Sequence, residues 1–119
     1  MKKINLREAF GRFQDTWSPK VIGEVNGHQV KLAKLQGEFI WHQHAEEDEL
    51  FLVVQGRLEI RLRDGSITLE EGELAIVPKG VEHLPVAEDG AHVLLLEPAS
   101  TVNTGEIRNE RTLEDLERL

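Results

Sequence analysis

Three Asx-Gly dipeptides, Asn26-Gly27, Asp64-Gly65 and Asp89-Gly90, each stand between apolar segments. This is the strongest short-range signal for a β-hairpin, because the tight turns that suit twisted strands need left-handed backbone at their centre. From Val21 to Glu97 the chain therefore reads as short antiparallel strands. If Asp64-Gly65 is a two-residue turn, Arg63 pairs with Ser66 and Leu62 with Ile67, so Leu58, Ile60, Leu62, Ile67 and Leu69 share one face while Arg57, Arg61 and Arg63 face water. The segments 39–41, 50–54, 75–77 and 93–96 are apolar on both faces and need cover on the outside. Many short strands with close turn signals and no central helix indicate a sandwich or small closed barrel.

The ends read differently. Asn5 followed by Glu8, with Leu6, Phe10 and Phe13 at helical spacing, predicts a short N-terminal helix that stops before Ser18-Pro19. Thr112 and Asp115 at capping spacing, with Leu113, Leu116 and Leu119 three apart, predict a second short helix that must dock to persist. The expected organisation is a helical segment over 1–20, a β-barrel over 21–100 and a tail with a short helix over 101–119. Its 119 residues suit one domain.

With 14 Lys and Arg against 22 Asp and Glu, the net charge of −8 opposes nucleic acid and anionic membranes as partners. The start lacks the apolar stretch of a signal peptide and no run approaches a membrane span, so a cytoplasmic location is expected. There is no cysteine and no tyrosine, which excludes disulfides, thiolate ligands, thiol nucleophiles and phenolic acids or bases. Chemistry falls to histidine, carboxylates or a bound ion.

His42 and His44, two apart on a strand, project from the same face about 6 to 7 Å apart at the backbone. Glu49 shares the parity of Phe51 and Val53 on the returning strand, and His83 opens the strand after the Pro78-Lys79-Gly80 turn. Three imidazoles and one carboxylate form a donor set suited to Fe, Mn, Ni, Cu or Zn. On a six-coordinate ion they leave room for substrate. Glu46, Glu47 and Asp48 read as a solvated turn, and His28 as exposed beside its turn. Pairing across Asp89-Gly90 would put Ala87 opposite His92 and bring His92 to the His83 face, where it lines the cavity without ligating. Glu38 shares the parity of His42 and His44, which leaves it open between an acid-base group and a solvated strand end.

In these residues the chain resembles the cupins. Gly37, His42, His44, Glu49 and Gly56 match the first motif of that family, and Gly72, Pro78, Gly80 and His83 match the second. One residue fewer than usual separates Gly37 from His42, and Ala87 stands where the second motif commonly ends in Asn; neither change removes a ligand. The resemblance implies an all-β, double-stranded β-helix or jelly roll, with a divalent metal held inside by His42, His44, Glu49 and His83. The family houses isomerases, dioxygenases, decarboxylases, sugar binders and sensors, so fold and metal do not choose among them.

Three functions follow in order: a metal-dependent enzyme acting on a small polar metabolite, with isomerase and dioxygenase chemistry both open; a non-catalytic module that binds or senses a small molecule; and a sugar or sugar-phosphate isomerase. The last ranks third because an anionic substrate needs cations in the pocket, and only Lys31, Lys34 and Lys79 are near. Strand parity places His42, Glu49, Phe51, Val53, Leu74, Ile76, His83 and Leu94 inside the barrel. It leaves Phe39, Trp41, Leu50, Leu52, Val54, Val77 and Leu95 outside. An outer face this apolar predicts a two-fold homodimer.

Overall fold

The computed structural model describes all of residues 1–119. Seven strands, β1 (Lys20–Val25), β2 (His28–Glu38), β3 (Glu49–Gly56), β4 (Leu58–Leu62), β5 (Gly65–Leu69), β6 (Leu74–Val77) and β7 (His83–Pro98), follow a single short helix, α1 (Leu6–Phe10). All strand pairings are antiparallel, in the order β1-β2-β7-β3-β6, with β4 joining β5 to β7. The result is the jelly-roll barrel that the turn pattern and the motifs imply.

β7 is the spine of the barrel. Its first residues pair with β4, from His83 opposite Leu62 to Val86 opposite Glu59, and its later ones pair with β3 and β2 together. The expected hairpin at Asp89-Gly90 does not form. Between Leu35 and Gly37 β2 advances two residues while β7 advances four, so residues 88–90 are a bulge inside one continuous strand. Gly90 supplies the left-handed backbone there, with φ of +90°, and Gln36 donates from Nε2 to the Glu88 carbonyl at 2.8 Å. The odd residues Ala91, Val93, Leu95 and Glu97 consequently face inward and are buried. His92, Leu94 and Leu96 face outward, which reverses the expectation for Leu94 and Leu95. His92 lies against α1, its ring stacked 4.7 Å from that of Phe10, and lines no part of the barrel interior.

β6 is also turned over relative to expectation. It sets Val77 opposite Glu49 and Ala75 opposite Phe51, and directly opposed residues share a face. Val77 is buried in the core, whereas Leu74 and Ile76 are 53% and 58% exposed. A strand reading Leu-Ala-Ile-Val is apolar throughout, so its sequence carries no parity. Phe39, expected outside, is buried because β2 ends at Glu38 and the alternation stops with it. Trp41 does stay outside, under the Arg63 guanidinium at 3.8 Å.

The β4–β5 hairpin keeps its predicted face but slides by two residues, pairing Ile60 with Ile67 and Arg61 with Ser66. That register opposes Leu58 to Leu69, and both are buried. Asn26-Gly27 makes the expected turn, with Val25 opposite His28. The core joins Leu58, Ile60, Val53 and Val93, all at most 1% exposed, each worth roughly 1.5 to 3 kcal/mol of burial.

At the N-terminus the Asn5 side chain caps α1 by accepting from the Glu8 amide at 3.0 Å. The helix ends at Phe10, short of the predicted extent, and a single turn of this kind holds only because Phe10 and Phe13 pack on Leu32. The predicted C-terminal helix is absent. Thr112 instead bonds Thr104 Oγ1 at 2.7 Å, and the tail ends beside β1, where the Val21 amide donates to Glu117 and the Leu119 amide to Val21. Eight residues cannot sustain a helix alone, and the free edge of β1 offers them backbone partners. No helix is long and apolar enough to cross a membrane.

Gly56 and Gly72 separate two effects of a side chain in left-handed backbone, at φ of +88° and +84°. A Cβ on Gly56 would run into the Gly90 carbonyl oxygen, whereas one on Gly72 meets open space. In urea unfolding, Gly56→Ala is expected to lose about 2 to 4 kcal/mol and Gly72→Ala about 1 to 2 kcal/mol. Equal losses would contradict the close approach of β3 to the β7 bulge.

Candidate metal centre

Residues 39–48 leave β2 and cross one end of the barrel before β3 begins. A two-way backbone bridge fixes this crossing: the His42 amide donates to the His83 carbonyl at 3.1 Å and the His83 amide to the His42 carbonyl at 2.9 Å. The Gly80 amide adds a bond to the His44 carbonyl at 2.8 Å. Both motif segments are thereby clamped together by main chain. Their side chains follow.

His42, His44, Glu49 and His83 are all buried, and one donor atom from each lies within 4.8 Å of the others. His42 and His83 each hold a carbonyl two residues earlier with Nδ1, at 2.9 Å from Ile40 and 2.9 Å from Val81. A carbonyl only accepts, so Nδ1 of each ring donates and Nε2 is turned to the interior. Glu49 Oε1 sits 3.3 Å from His83 Nε2 and 3.4 Å from His44 Nε2. The contact to His44 lacks hydrogen-bond alignment, and both its ring nitrogens are buried without a partner.

An orphaned buried polar group costs about 1 to 3 kcal/mol. A bound ion would remove that cost at one of the two His44 nitrogens. Metal bonds of about 2.0 to 2.2 Å keep any two donors on one ion within about 4.4 Å of each other, so a spread of 4.8 Å closes with small side-chain movements. Two of the donors are also in the right ionic form. Burial, and next the charge of His83, lower His42 to about 4, leaving the imidazole neutral near neutral pH. Burial by itself would raise the Glu49 carboxyl, but the His44 and His83 imidazoles outweigh it and hold Glu49 below the usual carboxylate range. The cluster is compatible with a transition-metal site.

The neighbouring acids are accounted for elsewhere. Asp48 accepts from the Lys79 amide at 2.9 Å and Glu47 from Ser100 at 2.8 Å. Glu38 is solvated and pairs with Arg61 at 3.6 Å, and His28 is exposed beside its turn. Of the three lysines expected near the pocket, Lys79 is exposed and Lys34 reaches out to the Phe13 carbonyl at 2.7 Å. Only Lys31 enters the barrel.

His42 and Glu49 line a cavity of about 50 Å³ together with Lys31, Glu97 and apolar side chains that include Phe51 and Leu95. Trp17 and Phe39, stacked with ring centroids 4.8 Å apart, stand at its wall, and the tail contributes Asn103 and Leu116. Nothing in the local sequence spacing points to Glu97 except its parity with Val93 and Leu95, which the turn expected at Asp89-Gly90 hides. Burial, then the Glu49 charge, push its carboxyl well above the usual range, with Lys31 opposing.

The cupin-domain family model Cupin_2 matches residues 28–97. A cupin-2 domain containing protein from Shewanella frigidimarina NCIMB 400 has a crystal structure that is 48% identical, with a TM-score of 0.79 over 80% of this chain and 93% of that one. Protein NMB1881 from Neisseria meningitidis is 36% identical, with a TM-score of 0.76 over 82% of this chain and all of that one. The uncharacterized protein YdbB of Bacillus subtilis (strain 168) is 43% identical over 63 residues, 52% of this chain and 56% of YdbB. This chain spans little more than half the length of that curated relative. The match runs from the start of β2 to the inward Glu97 of β7 and takes in every residue of the buried cluster. This chain belongs to the cupin-domain family Cupin_2.

Proposed function

We propose that this cupin is a metal-dependent enzyme acting on a small polar metabolite, with His42, His44, Glu49 and His83 holding one divalent transition metal. The observation that carries the reading is the buried, unpartnered His44 within a four-donor cluster whose His42 and Glu49 also line a cavity. The ion would supply Lewis acidity or dioxygen chemistry to a ligand in that cavity. The chain supplies the rest. Ile40 and Val81 orient two imidazoles through their carbonyls, Trp17 and Phe39 limit water, and Phe51 and Leu95 form the apolar lining. A volume of about 50 Å³ corresponds to three to five water-sized sites at about 10 to 15 Å³ each. That favours a metabolite of a few carbons over a sugar phosphate.

His44→Ala is expected to reduce metal content from about one ion per chain to below a tenth. It should also abolish the rise in thermal midpoint that metal gives the parent, since a ligand at 100 times its Kd stabilises the folded state by about 2.7 kcal/mol. On the Co(II)-loaded parent, azide should shift the visible spectrum if coordination positions face the cavity. Unchanged metal content in His44→Ala would defeat the site. An azide-silent spectrum with no turnover in isomerase and oxygen-dependent assays would favour a binding or sensing module.

Assembly as a homodimer is part of the same proposal. Outside the barrel, Val30, Leu96, Leu50 and Ile76 oppose one another across four strands, and Leu32, Leu94, Leu52 and Leu74 form a parallel row. α1 and its neighbours cover Leu32, Leu94 and Val54. The remainder is an apolar strip suited to a second copy of itself. Sedimentation at micromolar concentration is expected to give about twice 13.5 kDa for the parent and a monomer for Leu52→Glu. A monomeric parent would rule the dimer out.

A further inference from the structure

Lys31 and Glu97 are 2% and 3% exposed and form an ion pair at 3.3 Å inside the barrel. They sit on adjacent strands, Lys31 opposite Leu95 and Glu97 two residues further along β7, in positions that Ala33, Val93 and Leu95 fill with apolar side chains. Burying two ionisable groups costs more than a well-packed apolar pair of similar volume would, so stability of the barrel gives no reason for them. The pair is also incomplete. It uses one carboxylate oxygen, and Glu97 Oε2 is buried without any hydrogen-bond partner. Both residues line the cavity that His42 and Glu49 line.

We propose that Lys31 and Glu97 form the organic-ligand subsite of this cavity and that the ligand is a short-chain hydroxy acid. Its carboxylate pairs with the Lys31 ammonium, the one cation inside the barrel, and its hydroxyl bonds Glu97 Oε2. A hydroxyl both donates and accepts, so it matches Oε2 whether or not the carboxyl carries a proton. A ligand ammonium would match only the carboxylate. The inner volume of about 50 Å³ suits a ligand of a few carbon atoms. The inference rests on the metal-dependent reading, whose substrate class it names.

The test is calorimetric titration of the full chain with glycolate, acetate and ethylene glycol, on zinc-loaded and on chelated protein, with metal content measured in parallel. Glycolate should bind the parent at least ten-fold more tightly than acetate, which lacks the hydroxyl, or ethylene glycol, which lacks the charge. Lys31→Met/Glu97→Met removes both ionisable groups together, leaves no lone buried ion, and should weaken glycolate at least ten-fold at unchanged zinc content. If circular dichroism shows that this variant does not fold, Lys31→Gln, whose amide can still donate to Glu97, should show the same loss. Glycolate binding equal to the parent in the folded variant would overturn the subsite while leaving the metal centre intact, as would a parent that binds no glycolate. A parent that takes up no zinc would refute the metal reading alone, because the chelated-protein titrations judge the subsite without it.

Discussion

The reciprocal backbone bridge between His42 and His83 is the constraint on which the site depends. Two hydrogen bonds of 3.1 and 2.9 Å join segments 41 residues apart in sequence, and they do so through main chain, so both imidazoles stay free to face inward. Because the Nδ1 atoms of these two rings are occupied by carbonyls two residues earlier, the loops that make the bridge also set which nitrogen is available. Position and tautomer have the same origin. Glu49 enters at the first residue of β3, where its pairing with Val77 holds it on the inner face.

β7 extends that arrangement into a barrel. A strand of 16 residues serves β4 at one end and β2 and β3 at the other, and the bulge at residues 88–90 lets it turn between them without ending. Since the bulge adds an even number of residues relative to β2, inward parity survives it, from His83 and Ala87 to Val93, Leu95 and Glu97. Cluster and ion pair therefore come to one cavity through the continuity of one strand. The sheet closes around an interior that is apolar except where histidine, glutamate and Lys31 interrupt it.

The parts that were legible in the sequence are those fixed by local spacing. His42 and His44 two apart, Glu49 in phase with Phe51, and His83 after Pro78-Lys79-Gly80 all carry their placement in a few neighbouring residues. Where placement depends on a distant partner, the sequence was silent or misleading. Leu74-Ala75-Ile76-Val77 is apolar at every position, and only pairing with β3 decides that Val77 and Ala75 go in. Asp89-Gly90 carries a hairpin signal that β2 overrides by holding residues on both sides of it. Thr112 to Leu119 has helical spacing, but the edge of β1 takes its backbone instead. Glu97 follows from β7, and so was lost with it.

X-ray absorption at the metal K-edge of protein loaded with one equivalent of Mn(II) or Zn(II) tests the central claim most directly. The expected first shell holds oxygen and nitrogen scatterers at about 2.0 to 2.2 Å, with the outer-shell pattern of three imidazoles from His42, His44 and His83. A shell of oxygen scatterers alone, with no imidazole pattern, would place the ion on the acidic surface and contradict the buried centre.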